Sequence, residues 1–185
     1  LRTGLSSDDV TPYQQNSPVE YEWPIESGII SSVYGDRPDV GTGSFHGGID
    51  ISAPVGTRVN AAADGSVVVA VNHEKYGNMV VVQHDDGSWS VDMHLNEYDV
   101  EVGDEVNAGD QIGSVGNTGS FSQGPHLHHS EIPATNKLPD FANGKTMVVR
   151  NTQNPLDLFP DEFPTGIDID ENAVEALPCG KLVNK

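Results

Sequence analysis

A chain of 185 residues with 36% hydrophobic and 20% charged side chains is long enough to bury one core and too apolar to stay disordered. Its formal charge of −19, from 28 acidic against 9 basic residues, argues against nucleic acid and anionic membrane surfaces as partners, since both are held by basic faces. No run approaches the roughly 18–20 apolar residues that cross a bilayer, so no integral membrane segment is expected.

The excess acid reads as a solvated coat that maintains solubility in a salty medium. The single Cys179 allows no disulfide within the chain. Twenty glycines and twelve prolines among Val-rich runs predict an all-β fold with frequent turns.

Residues 1–18 are polar and without periodicity, and read as an N-terminal arm or linker. The chain opens on Leu1 with no apolar leader, as expected either of a processed, exported protein or of a chain trimmed at that point. From Trp23 the texture changes, and "FHGGIDIS" predicts a Gly-rich loop running into a short strand. "GTRVNAAADGSVVVAVNH" reads as two strands paired around Asp64-Gly65, and "NMVVVQH" with "SWSVDMH" as a second hairpin closed at Asp85-Asp86-Gly87. Val100 to Gly119 predicts short strands between tight turns, followed by a strand over the histidine cluster "GPHLHHSE". A long connection follows, with a strand at "KTMVVR" and an apolar end-piece, "NPLDLF". The acidic C-terminal segment, 160–185, predicts a short helix around "DENAVEAL".

Three groups of residues carry chemistry. On a strand, His126 and His128 share one face while Leu127 and His129 take the other. His46 and Asp50 are separated by two glycines and an isoleucine, so a tight loop rather than a helix brings them together. In "SWSVDMHL", alternation places His94 with Asp92 and Ser90, opposite Trp89, Val91 and Met93. His46, Asp50 and one or two of His126 and His128 form a His2Asp donor set with an open fourth position, the pattern of a catalytic rather than a structural zinc site. Zinc in such a site polarises a carbonyl and acidifies water, and spare histidines move protons.

"HGGID", "MHL" and "GPHLHHSE" together resemble the lysostaphin/LytM family of zinc metalloendopeptidases, which are peptidoglycan hydrolases. The resemblance runs from about Trp23 to Phe159 and includes "SSVYGDRPD", "YGNMVVVQHDDG" and "VEVGDEVNAGDQIGSVGNTG". It implies a domain over 19–159 with a twisted antiparallel sheet or sandwich and an open substrate groove, the family's duplicated hybrid motif. It implies zinc ligands at His46, Asp50 and His128, and catalytic histidines at His94 and His126. The implied substrates are peptide stems or bridges of peptidoglycan, or glycine-rich peptides, met outside the cytoplasm. Glycine suits a narrow groove because no side chain blocks approach of its backbone to the metal. There are two departures from the pattern: Asp92 and Met93 replace the usual Tyr-Ala before His94, and His129 replaces an aromatic after His128. His73 and His84 lie outside these motifs and are expected to be non-catalytic.

Three other readings fit less well. A non-haem iron oxygenase also uses two histidines and a carboxylate, but with a closer first pair than His46 and Asp50. A non-catalytic or autoinhibited regulatory module is the second, yet all five site positions are filled. "VGDEVNAGDQIGSVG" looks like half of a biotinyl or lipoyl carrier, but residues 99–119 hold no lysine for attachment.

Overall fold

β-branched runs build the centre of the sheet. The computed structural model describes residues 18–38, 41 and 43–173. In chain order the strands are β1 (Ser27–Ser32), β2 (Gly35–Asp36), β3 (Phe45–His46), β4 (Ile49–Ser52), β5 (Arg58–Asn60) and β6 (Gly65–His73). They continue with β7 (Gly77–Gln83), β8 (Trp89–Tyr98), β9 (Glu105–Val106), β10 (Gln111–Val115), β11 (His126–Ile132) and β12 (Gly166–Ile169). Three short 3-10 turns, at Phe141–Asn143, Val149–Asn151 and Pro155–Asp157, are the only helical elements among the described residues. None of these is long and apolar enough to cross a membrane.

One twisted sheet runs β12-β1-β4-β11-β8-β7-β6-β9, with β10 bridging β8 and β5. Every pairing in it is antiparallel except β1 with β12. The all-β expectation therefore holds. A separate ribbon, β2 with β3, stands beside β4.

The central strands are apolar on both faces. On β7, Met79 and Val81 join Val91, Met93, Ile132 and Phe141 in one cluster, while Val80 and Val82 join Ile49, Ile51, Leu95 and Leu127 in the other. The first cluster lies on the face that carries His128, called the front here. The second, on the back, is closed by Trp23, Phe159 and Phe163, with Trp23 ring centroids 4.9 Å from each phenylalanine. "NPLDLF" thus docks as expected, burying Pro155, Leu156 and Phe159.

The hairpin at Asp85-Asp86-Gly87 forms, with Gly87 at φ 84° and its N–H donating to the His84 carbonyl. The hairpin expected at Asp64-Gly65 does not: β5 pairs with β10, and β6 with β7 and β9. Gly65 has no positive φ; it is glycine because a Cβ there would collide with the Gln83 carbonyl of β7. The strand expected at "KTMVVR" is also absent, replaced by irregular chain and the 3-10 turn Val149–Asn151. Of the helix expected around "DENAVEAL", residues 170–173 form a turn and the remainder lies outside the described residues. An unanticipated strand, β12, forms from the acidic segment by pairing with the edge of β1.

Candidate active site

The site lies where β4, β11 and β8 run side by side. Directly opposed residues share a face, so the pairs His128↔Asp50 and His126↔Ser52 put both histidines and the carboxylate on the front. Leu127↔Ile51 and His129↔Ile49 face the back. The alternation expected on β11 is the one the structure has.

Gly47 and Gly48 join β3 to β4 and let His46 fold over Asp50. A Cβ on Gly48 would press against the His129 carbonyl and lie 2.6 Å from Ser130 Oγ and 2.9 Å from His128 Nε2. Gly48→Ala is therefore expected to push β11 outward, costing about 1–3 kcal/mol of stability and weakening metal binding; urea denaturation and metal titration check both.

β8 departs from simple alternation. Asn78 pairs with Leu95 and Val80 with Asp92, so Met93 and His94 together oppose the single residue Met79. This is a β-bulge, and it places two consecutive side chains on one face. His94 has φ 62°, the only non-glycine with positive φ among the described residues, and its N–H donates to the Tyr76 carbonyl at 2.8 Å. β8 also changes partner there, from β11 over Trp89–Met93 to β10 over Leu95–Tyr98. The expectation that His94 shares a face with Asp92 and Ser90 is thus corrected. His94 lines the front groove beside Met93, while Asp92 and Ser90 are buried opposite His129 and Glu131. A left-handed non-glycine residue costs about 1–3 kcal/mol, and here the strain aims the His94 ring.

Three donor atoms converge. Asp50 Oδ1 is 2.8 Å from His128 Nδ1 and 3.2 Å from His46 Nε2, and the two ring nitrogens are 3.1 Å apart. A tetrahedral ion with bonds near 2.0 Å sets its ligand atoms about 3.3 Å apart, so the spacing fits a zinc-sized cation. The outer nitrogens are tied down as metal-binding histidines require. His46 Nδ1–H donates to the Val33 carbonyl at 2.9 Å, and His128 Nε2–H to Ser130 Oγ at 2.8 Å. In the neutral form a metal needs, those tautomers would turn a lone pair of each ring inward, whereas the protonated rings donate to Asp50 instead. Burial works to raise the Asp50 carboxyl, but hydrogen bonds and charge from His128 and His46 hold it well below the usual carboxylate range. Burial lowers His128, against the pull of Asp50.

Two further rings stand over this cluster. His126 Nδ1–H donates to the Gly124 carbonyl and His94 Nδ1–H to the Thr118 carbonyl, each at 2.8 Å, leaving both Nε2 atoms toward the groove. The ring centroids are 4.8 Å apart, and His126 Nε2 is 3.7 Å from Asp50 Oδ1. Burial, with the charge of His128 adding to it, pushes His94 down to about 4. The groove continues on both sides: an apolar wall of Phe45, Tyr76, Phe121, Met147 and Val149, and a more polar stretch with Ser31, Ser52 and Gln123.

His73 stacks on Tyr76 at 4.7 Å, its Nδ1 accepting from the Lys75 and Tyr76 backbone. His84 is buried on the back, bonded to Ser90 Oγ and the Asp64 carbonyl. Neither contributes a donor to the cluster. Sequence reasoning did not find Arg37, Ser32, Ser130 or Thr118. Ser130 had a signal, two positions after His128 on the same face. The backbone carbonyls of Thr118, Gly124 and Val33 had none, because any residue supplies a carbonyl.

Residues 44–138 match peptidase family M23. The chain belongs to family M23. The lysostaphin/LytM resemblance drawn from the motifs holds for this M23 chain. It is 37% identical over 118 residues to the peptidoglycan DD-endopeptidase ShyA of Vibrio cholerae, covering 64% of this chain and 27% of ShyA. The crystallized catalytic domain of lysostaphin from Staphylococcus simulans superposes with a TM-score of 0.58 at 32% identity, covering 68% of this chain and 86% of that domain. A zinc-containing peptidase from Vibrio cholerae superposes with a TM-score of 0.58 at 28% identity, over 69% of this chain and 40% of its own. The M23 chain spans 17–27% of the length of the first curated relatives it matches.

Proposed function

We propose that this chain is a zinc-dependent endopeptidase that hydrolyses peptide bonds in the stems or cross-links of bacterial peptidoglycan. The observation that carries the reading is the convergence of His46 Nε2, Asp50 Oδ1 and His128 Nδ1 at the floor of a groove, beneath the rings of His94 and His126. The catalytic unit is assigned to residues 19–159, with the acidic segment from 160 onward adding β12 at its edge. The substrate lies outside the cytoplasmic membrane, and the chain is assigned there with it.

His46, Asp50 and His128 would hold the ion, and zinc so held supplies Lewis acidity to a scissile carbonyl and acidifies water. The remaining work falls to the protein. His94, neutral because burial holds it at about 4, takes the proton of the attacking water at Nε2. The C–N bond then breaks, and the departing amine takes a proton from this pair of rings. His126, with Nδ1–H fixed on Gly124, holds its own Nε2 on the same side to orient the water and share the transfer. The aromatic wall keeps bulk water from one flank and leaves least room beside the scissile bond for large side chains, which favours small residues there.

Purified peptidoglycan digested with the zinc-loaded chain and analysed by mass spectrometry is expected to yield new peptide termini, absent with His128→Ala. A glycine-rich peptide in the same assay tests the second substrate class. Zinc uptake without cleavage of either would replace this reading by a regulatory module.

A further inference from the structure

Arg37 sits where the two stretches of the groove meet, immediately after β2, with its backbone N–H donating to the Ser44 carbonyl at 2.9 Å. Its Nη1 donates to Ser32 Oγ at 2.8 Å and lies 3.7 Å from Asp50 Oδ2. Ser32 Oγ is in turn 3.1 Å from His46 Nδ1. One guanidinium nitrogen therefore lies within ion-pair reach of the outer oxygen of one member of the donor cluster and shares a hydroxyl with the outer nitrogen of another. The local backbone is built for this: the register of β1 against β4 shifts between Ile30 and Ser32, which brings Ser32 opposite Asp50.

A permanent cation beside a metal site needs a reason, because charge alone would repel a bound dication. The two Asp50 oxygens differ. Oδ1 faces both ring nitrogens of the cluster, and Oδ2 faces Arg37. A carboxylate on a short strand is otherwise free to rotate about its terminal torsion, presenting either oxygen or both. A guanidinium nitrogen 3.7 Å from Oδ2 favours one orientation of the carboxylate by charge, and its hydrogen bond to Ser32 Oγ keeps that nitrogen in place.

We propose that Arg37 is a positioning residue for the metal cluster. It holds Asp50 with a single oxygen turned inward and, through Ser32, adds a second contact to the His46 Nδ1 that the Val33 carbonyl already holds. This rests on the reading of His46, Asp50 and His128 as ligands.

The test compares the wild-type chain with Arg37→Met, Arg37→Lys, Ser32→Ala and Asp50→Ala. Zinc affinity is measured by chelator competition, the visible spectrum of the cobalt-substituted protein is recorded, and kcat and KM are measured separately. Arg37→Met is expected to weaken zinc binding about 10–100-fold, to change the cobalt bands, and to lower kcat more than it raises KM. Arg37→Lys keeps the charge without the guanidinium and is expected to recover part of the affinity. Ser32→Ala is expected to show a smaller loss of the same kind, and serves if Arg37→Met does not fold. Unchanged affinity and spectrum with a raised KM would make Arg37 a substrate contact and overturn the proposal. Tighter zinc binding in Arg37→Met would overturn it too, by showing that charge repulsion outweighs orientation. Asp50→Ala separates the two levels: if it binds zinc as the wild type does, the ligand assignment itself fails, whatever Arg37 does.

Discussion

Alanine at His128 is expected to abolish zinc binding and with it measurable hydrolysis, whereas alanine at His126 is expected to leave the metal content intact. The His126 variant should instead lose about 10²–10⁴-fold in kcat/KM, the range for removing a general acid–base group. The two residues are two positions apart on one strand face, so bulk and burial alone do not predict different outcomes. Geometry does. His128 Nδ1 is 2.8 Å from Asp50 Oδ1 and 3.1 Å from His46 Nε2, while His126 Nε2 stands 3.7 Å from the same carboxylate oxygen. His128 also has its outer nitrogen held by a side chain, Ser130, and His126 has its own held by a loop carbonyl, Gly124. Elemental analysis of each purified variant, beside its turnover of peptidoglycan, checks the assignment. Loss of zinc from His126→Ala would make that residue a ligand.

Single removal of His129 is expected to destabilise the fold by about 3–5 kcal/mol, as breaking a buried ion pair does. His129 bridges Asp92 at 2.7 Å and Glu131 at 2.9 Å, and all three are fully buried on the back of the sheet. Replacing the whole group, as Asp92→Leu, His129→Leu and Glu131→Leu together, is expected to restore most or all of that stability, because no charge is then left without a partner. Equilibrium urea denaturation of four proteins, the wild type, His129→Leu, Asp92→Leu and the triple variant, measures it.

The same group gives the fold a pH dependence. Burial works against the charged His129, but the charge and hydrogen bond of Asp92, joined by Glu131, hold it up to about 10. Burial raises the Glu131 carboxyl, with His129 opposing. For His129 the folded value lies above the unfolded one, so its stabilisation is complete below 6.5 and is lost as pH rises toward 10. The raised Glu131 carboxyl shifts stability in the same direction, downward as pH rises past its ordinary 4.5. The wild type is therefore expected to lose stability between pH 6.5 and 10, and the triple-Leu variant to lose less over that window.

This buried group also accounts for Asp92 and His129, one residue from each departure from the lysostaphin/LytM pattern. Asp92 and His129 face each other across β8 and β11, so they form one pair, and each supplies the partner the other needs. Read separately along the chain, each looked like an isolated change.

Local chemistry settled much of this protein in advance. The Val-rich runs specified β6 and β7, Gly87 closed the β7–β8 hairpin, and period-two alternation put His126 and His128 on one face of β11. The two glycines after His46 were enough to imply a turn that returns the chain to Asp50. Each of these follows from steric preference or side-chain period within a few residues. Tertiary structure decided what depends on a neighbour distant in sequence. Asp64-Gly65 has hairpin composition, yet Gly65 answers to the Gln83 carbonyl rather than to a turn. His94 breaks alternation because β8 must change partner from β11 to β10 at that residue while two of its residues oppose Met79. "KTMVVR" has strand composition yet pairs with no strand, whereas Gly166–Ile169 in the acidic segment pairs with β1. A sequence carries the preferences of each segment, but strand pairing, bulges and the carbonyls that hold the site histidines are fixed only when distant segments compete for the same hydrogen bonds.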